Sequence, residues 1–179
     1  ARFSPHKRSR ALREHWGVEA DDLVVVCIGR LAPEKNLSAL TCVWQAIRGI
    51  DARAKLVVVG EGPMRLKLQA EHPDAIFAGQ RGGDDLAAHY ASADLLLFPS
   101  LTETFGNVTM EALASGLPVV AFDHAAAAQL IRDNDNGVLV PYADTSAYVR
   151  ATLALASNRD LRKTMGTAAR ASVASLGWN

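Results

Sequence analysis

The residues best able to do chemistry fall in two stretches. One is Gly29-Arg30-Leu31-Ala32-Pro33-Glu34-Lys35-Asn36, directly after an apolar run. Arg30 and Lys35 leave the same strand end and can converge on one anion. Two cations beside a helix start suit a phosphate, although isolated surface Arg and Lys are common. Gly29 permits the tight turn that opens the loop. The other stretch is Pro99-Ser100-Leu101-Thr102-Glu103-Thr104-Phe105-Gly106-Asn107-Val108-Thr109-Met110-Glu111. Glu103 falls in a loop, and Glu111 lies about one turn inside the next helix. Gly106 and Asn107 stand at that helix's N-terminus, where unpaired N–H groups can bind phosphate oxygens. Glu111 follows Asn107 by four residues, so both face the same way. A phosphate at the helix mouth would put a hydroxylated ring beside each carboxylate. A carboxylate accepts two hydrogen bonds at once and so suits vicinal hydroxyls. The competing reading of Glu111 is a simple dipole preference for the first helical turns.

Such residues need a scaffold that brings loop ends together. Short apolar runs recur at Leu23–Ile28, Leu56–Val59, Ala75–Ala78, Leu95–Phe98, Val119–Phe122 and Val138–Val140. They are mostly Val- or Leu-rich and do not alternate with polar residues, as expected of strands buried on both faces. The segments between them read as helices. Asn36 can cap the first and Gly49 end it. Pro63 suits the first position of the second, and Asp84 or Asp85 can cap the third. Asn107 opens a helix that Gly116 ends. Further helices are expected at Ala125–Arg132, Ser146–Ser157 and Asp160–Ser175. Strand and helix alternate six times, which predicts an α/β fold: a Rossmann-like, doubly wound parallel sheet of about six strands with helices on both faces. In such sheets ligands bind at the carboxyl ends of the strands, where both chemical stretches lie.

Composition narrows the field. The chain has 179 residues, the size of a single domain. Hydrophobic residues make up 49% and charged residues 21%, which excludes a disordered chain. Nineteen basic and nineteen acidic residues cancel, so no global field attracts nucleic acid. Cys27 and Cys42 form no CxxC pair or Cys/His cluster, so neither a disulfide framework nor a metal site is expected. Cys27 reads as a small buried hydrophobe. No run is apolar for the ~20 residues of a membrane span, and the N-terminus lacks the apolar core of a signal peptide. These features point to a reducing, cytoplasmic setting.

The remaining motifs carry less. The first thirteen residues hold Arg2, Lys7, Arg8, Arg10 and Arg13. A solvated helix face is the plainer reading, and contact with an anionic membrane surface, at its inner face, is the functional one. Gly60-Glu61-Gly62-Pro63 either lets a ligand approach the backbone or is a strand-to-helix turn, the reading preferred here. Neither a Walker A pattern nor GxGxxG is present. His6, His15, His72 and His89 read as surface residues. His124 reads as an exposed loop histidine, with the alternative that it faces a ligand. Trp44 reads as core.

Taken together, Gly29-Arg30 with Lys35-Asn36 and the E-x7-E spacing of Glu103 and Glu111 inside ETFGNVTMEALASGLPVV resemble the retaining GT-B glycosyltransferases of group 1. The match is to their C-terminal, nucleotide-sugar-binding domain, and it covers essentially the whole chain. The resemblance implies a donor-binding role. Arg30 and Lys35 would hold the donor diphosphate, and the backbone of Phe105, Gly106, Asn107 and Val108, with Gly29, would complete the cradle. Glu103 would hold hydroxyls of the transferred sugar, and Glu111 those of the ribose. Gln80 and Arg81 would lie near the base. The donor would be a UDP- or GDP-sugar bound without metal or other cofactor. After Phe122 many relatives carry a glycine pair, where this chain reads Asp123-His124-Ala125-Ala126-Ala127-Ala128.

The resemblance also reaches the ends. Phe3 and Pro5 resemble the exit from an interdomain linker, and Trp178 resembles the residue that opens a crossover helix to the N-terminal domain. Residues 1–20 would then be a linker-derived helix and 21–179 the core, with the N-terminal acceptor domain missing. A lone domain of this kind would bind donor weakly and transfer little or nothing. Two other readings are a stand-alone nucleotide-binding or regulatory module and a GT-B epimerase.

Overall fold

The computed structural model describes residues 2–102 and 106–174. Six strands form one sheet: β1 Val24–Ile28, β2 Lys55–Val59, β3 Ile76–Gly79, β4 Leu95–Phe98, β5 Val119–Phe122 and β6 Val138–Val140. Their order is β3-β2-β1-β4-β5-β6, and every pairing is parallel. The α-helices are α1 Arg10–His15, α2 Leu37–Ile50, α3 Arg65–Glu71, α4 Gly83–Ser92, α5 Asn107–Ala114, α6 Ala125–Leu130, α7 Thr145–Ala156 and α8 Arg159–Ala174. This is the expected Rossmann-like sheet with helices on both faces, and each strand falls within one residue of its apolar run.

The uniform apolarity of the runs has a simple cause. All five residues of β1 are buried, but into two different cores. Val24, Val26 and Ile28 pack with residues of α4, α5, α6 and α8. Val25 and Cys27 pack on the other face with α2, α3 and α7. The strand still alternates with period two, yet both sides are dry.

Helix ends differ from expectation in instructive ways. Asn36 adopts φ 52° and makes no side-chain cap; its carboxamide oxygen instead accepts from Ser38 Oγ at 3.2 Å. The helix it precedes runs through Gly49 to Ile50. Pro63 stands in a turn ahead of α3, which starts at Arg65. Gly82, not an aspartate, occupies the N-cap of α4, and Asp84 and Asp85 lie in its first turn, where their charge favours the dipole. Helix α6 stops at Leu130, two residues early. Gly116 does end α5: its N–H reaches Leu113 O and that of Leu117 reaches Ala112 O, a Schellman closure that needs φ 69° at Gly116.

The first twenty residues are not one helix. A 3-10 turn at Pro5–Lys7 precedes the short α1, and Ser4 and Ser9 cap the two. Nor do all of its cations form a solvated face: Arg10 does, with its side chain 93% exposed, but Arg13 and Arg8 are engaged by the protein. Arg13 is 4% exposed. Its Nη1 donates to Ser92 O and Asp94 Oδ2, and its Nη2 to Glu19 O and Asp22 O. Arg8 donates to Ala91 O, Ala93 O and Asp94 Oδ1. These side chains anchor the N-terminal segment to the start of β4. Two of the four histidines expected at the surface are also buried. His72 bonds Thr41 Oγ1 at 2.9 Å, and His89 bonds Asp85 O at 2.8 Å beneath the Trp16 ring.

Candidate functional site

The strand order reverses direction between β1 and β4. Connections from these two neighbours leave toward opposite sides, which opens a crevice at their carboxyl ends. A shallow cleft lies there, lined by Gly29, Arg30, Lys35, Phe98, Pro99 and Ser100. The structure thus brings together the first chemical stretch and the start of the second.

The loop after β1 is held by main-chain bonds to the loop after β2. Gly29 N–H donates to Val59 O and Leu31 N–H to Glu61 O, both at 2.9 Å. Arg30 lies between these two anchored residues with its side chain 70% exposed and 3.7 Å from Glu34 Oε1. The 3-10 turn Pro33–Lys35 then folds the chain back. It sets Lys35 Nζ 6.0 Å from the centre of the Phe98 ring, at the end of β4. Both cations therefore border the cleft. Cys27 also lines it, but burial pushes its thiol up to about 12, so it is no nucleophile at neutral pH.

On the β4 side, Ser100 Oγ donates to Thr102 O at 2.5 Å and fixes the loop's first turn. Glu103 and Phe105 lie outside the described residues. Gly106 caps α5 at φ 69°, and a β-carbon there would lie 2.7 Å from that of Ala126. The mouth of α5 is therefore pressed against α6, with Asn107 exposed and Val108 partly so. The first N–H groups of α5 have no partner within the helix. Four residues on, Glu111 is half-buried, and the Tyr90 hydroxyl of α4 donates to its Oε2 at 2.9 Å. Burial raises its carboxyl above the usual range, and the Tyr90 bond opposes that rise.

Gln80 and Arg81 are not in this cleft. They follow β3, two strands from β1, which is ~10 Å away at ordinary strand spacing. Gln80 is exposed. Arg81 is tied to Ala78 O at 2.8 Å and Asp85 at 3.0 Å. His124 is exposed at the start of α6, its ring centre 4.7 Å from that of Tyr142. Tyr142 also reaches across to Leu101 O at 3.3 Å. Sequence reasoning missed Tyr90, Phe98 and Tyr142. Phe98 carried the signal of ending an apolar run at a loop; the two tyrosines carried none.

Among the described residues, no group of three or more His, Cys, Asp or Glu could hold a metal ion. A larger cavity of about 900 Å³ lies at the other edge of the sheet, where β1, β4 and β5 begin. Its arginines are already engaged: Arg162 and Arg170 on main-chain carbonyls, Arg8 on Asp94 as well, and Arg159 on Asp21. The arrangement suited to a phosphate is at the carboxyl edge.

Comparisons with known proteins bear on the family and the fold. The chain is 38% identical over 177 residues to a GDP-mannose-dependent alpha-mannosyltransferase of Mycobacterium tuberculosis (strain CDC 1551 / Oshkosh), covering 99% of this chain and 45% of the relative. It spans less than half the length of that protein and of the similar mannosyltransferases it matches. Sucrose-phosphate synthase from Thermosynechococcus elongatus superposes with TM-score 0.82 at 25% identity, over 97% of this chain and 46% of that one. The C-terminal domain of a glycosyl transferase group 1 family protein from Francisella tularensis superposes over 97% of both chains with TM-score 0.79, at 20% identity. The model of the family described as "Glycosyl transferases group 1" matches residues 22–158, and the chain belongs to that family.

Proposed function

We propose that this chain is the donor-binding domain of a retaining glycosyltransferase that moves a sugar from a nucleotide diphosphate sugar to an acceptor. One observation carries the reading: Arg30 and Lys35 border a single cleft at the β1/β4 switch point, beside the segment that leads into α5. Breaking a sugar–diphosphate bond places negative charge on the leaving phosphate. Two cations and a helix N-terminus offset that charge where other enzymes use a metal. Donor binding is then metal-independent.

In this reading Arg30, Lys35 and the backbone of Gly29 and residues 105–108 hold the diphosphate. Glu103 takes hydroxyls of the transferred sugar, Glu111 those of the ribose, and Gln80 and Arg81 border the base. The anomeric C–O bond to the diphosphate breaks, and the acceptor oxygen bonds the same face. The departing phosphate oxygen accepts the acceptor's proton, so this chain needs no nucleophile or general base. Residues 21–179 form the core and 1–20 the linker-derived segment. The acceptor side belongs to a further domain, in keeping with the greater length of the relatives. We favour GDP over UDP as the donor nucleotide, because the relative quoted above is named for GDP-mannose. Among the described residues no helix is long and apolar enough to cross a membrane. We place the protein in the cytoplasm, with any membrane contact peripheral.

Calorimetric titration with GDP, UDP and ADP, with and without EDTA, tests this. One diphosphate binding equally in EDTA, and lost in Arg30→Ala, is the expected result. No binding of any of them at millimolar ligand would overturn the assignment to this chain. Glu111→Ala is expected to weaken the free diphosphate, and Glu103→Ala to weaken only the diphosphate sugar. Equal losses for both ligands in both variants would refute that division.

A further inference from the structure

We propose that Tyr90 is a positioning residue for nucleotide binding: its hydroxyl aims the Glu111 carboxylate and holds it ready for the ribose. This rests on the ribose role given to Glu111 above. Three observations lead to it. Tyr90 is 0% exposed, yet its hydroxyl ends at a half-buried carboxylate on a different helix, 2.9 Å from Oε2. The ring is fixed on a second side by Phe3, edge-to-face at 5.7 Å. The backbone around it is fixed too. Arg8 binds Ala91 O, and Ser9 N–H donates to Ser92 Oγ at 2.9 Å. Tyr90 is thus a rigid donor with little freedom to follow Glu111 elsewhere.

The chemistry of the pair is specific. A carboxylate only accepts hydrogen bonds, so a phenol that donates to one oxygen favours the ionised form and restrains its rotation. Oε1 stays available, and the remaining lone pairs of Oε2 with it, for two vicinal hydroxyls. Burial alone would favour the protonated acid, a poorer acceptor. Among the described residues Tyr90 is the group that opposes this rise. Asp85 and His89, also on α4, face each other at 3.4 Å. On α8, Arg170 binds Ala114 O, while α6 and β5 carry no charged residue.

The test is Tyr90→Phe, which keeps the ring against Phe3 and removes one oxygen. Two readouts are taken. The first is the Glu111 carboxyl titration by carbon NMR in the unliganded chain. Its midpoint is expected to move up in Tyr90→Phe. The second is the affinity for GDP relative to 2′,3′-dideoxy-GDP. The preference for GDP is expected to shrink about fivefold, the scale of one ordinary hydrogen bond. A purely structural role would lower both affinities alike and leave the ratio intact. Glu111→Gln separates the two levels of the argument. If it leaves the ratio unchanged, the ribose role of Glu111 fails and this proposal falls with it. If it collapses the ratio while Tyr90→Phe moves neither ratio nor midpoint, the ribose role stands and the positioning role alone is overturned.

Discussion

Gly60 lies directly against Gly29: a β-carbon built on Gly60 would sit 1.9 Å from the Gly29 carbonyl oxygen. Gly62 repeats the relationship with Leu31 O at 2.3 Å. The main-chain bonds Gly29–Val59 and Leu31–Glu61 run alongside. Pairing of β1 with β2 therefore continues past the strand ends. Gly60-Glu61-Gly62 admits another stretch of the chain's own backbone, and that stretch carries Arg30.

Gly60→Ala is accordingly expected to cost about 3 kcal/mol, since φ is 138° there and the new methyl meets backbone rather than a yielding side chain. It should also weaken GDP binding by moving Arg30. Urea unfolding and calorimetry check the two effects. Wild-type values for both would mean that the two loops are not coupled.

Arg30→Ala should separate binding from stability. The side chain is 70% exposed and its 3.7 Å ion pair with Glu34 is a surface one, so stability should change by less than ~0.5 kcal/mol. Loss of a charge-assisted contact to phosphate should weaken the diphosphate by about tenfold or more. The corresponding nucleoside should bind as before. An unchanged preference for diphosphate over nucleoside would remove Arg30 from the phosphate site.

Glu111 should show opposite signs for stability and binding. Its folded carboxyl lies above the ordinary value because burial disfavours the charge. The folded state then binds a proton more tightly than the unfolded chain, so its contribution to stability is present at low pH. That contribution is lost as pH rises from the ordinary carboxyl value of 4.5 through the raised folded value. Glu111→Gln should flatten this part of the stability–pH curve and leave the protein more stable near neutrality, while weakening GDP. A variant less stable at pH 7 than the parent would refute the account.

The alternation of apolar runs and helical segments was enough to place every strand, because a strand buried on both faces needs an uninterrupted run. The carboxyl edge followed from the fold class, and Arg30 and Lys35 from lying in the loop after the first strand, whereas the β1/β4 crevice itself depends on a strand order that only the structure gives. What stayed hidden depends on contacts across the chain. Asn36 looked like a cap, but its left-handed backbone cannot make one. Arg13 looked solvated because nothing local marks Ser92 and Asp94 as its partners. Tyr90 acts on Glu111 from 21 residues away, with no spacing rule to reveal it.

Ala125 offers a test of the departure from a glycine pair. Its φ is 50°, in the region that glycine adopts freely. A non-glycine residue there carries about 1 kcal/mol of strain. Ala125→Gly relieves it but frees the unfolded chain by ~0.4–1 kcal/mol. The net change should be near zero, whereas glycine at a helix interior costs ~0.5–1 kcal/mol. Ala151→Gly, in the middle of α7, is the control. Equal losses in the two variants, measured by urea unfolding, would show that Ala125 is not strained.

Arg13 and Arg10 belong to the same short helix and should behave as opposites. Arg10 has a side chain 93% exposed and pairs with Glu14 one turn on. Arg10→Ala should change stability by no more than ~0.5 kcal/mol, and less in high salt. Arg13 has a side chain 5% exposed, and its two terminal nitrogens serve three carbonyls and Asp94. Arg13→Ala strands those carbonyls and removes one of the Asp94 partners, at a cost of about 3–5 kcal/mol that salt should not relieve. Asp94 keeps Arg8 and the Val24 N–H, which sets the lower end of that range. Arg13→Lys should recover only part, because an ammonium cannot reproduce the planar fork. Asp94 immediately precedes β4, whose far end delivers Phe98–Ser100 to the cleft, so Arg13→Ala should also weaken diphosphate binding. Urea unfolding at low and high salt, followed by calorimetry on the folded variants, distinguishes a buried anchor from a surface cation. Equal small losses for Arg10 and Arg13 would restore the solvated face first expected of this segment.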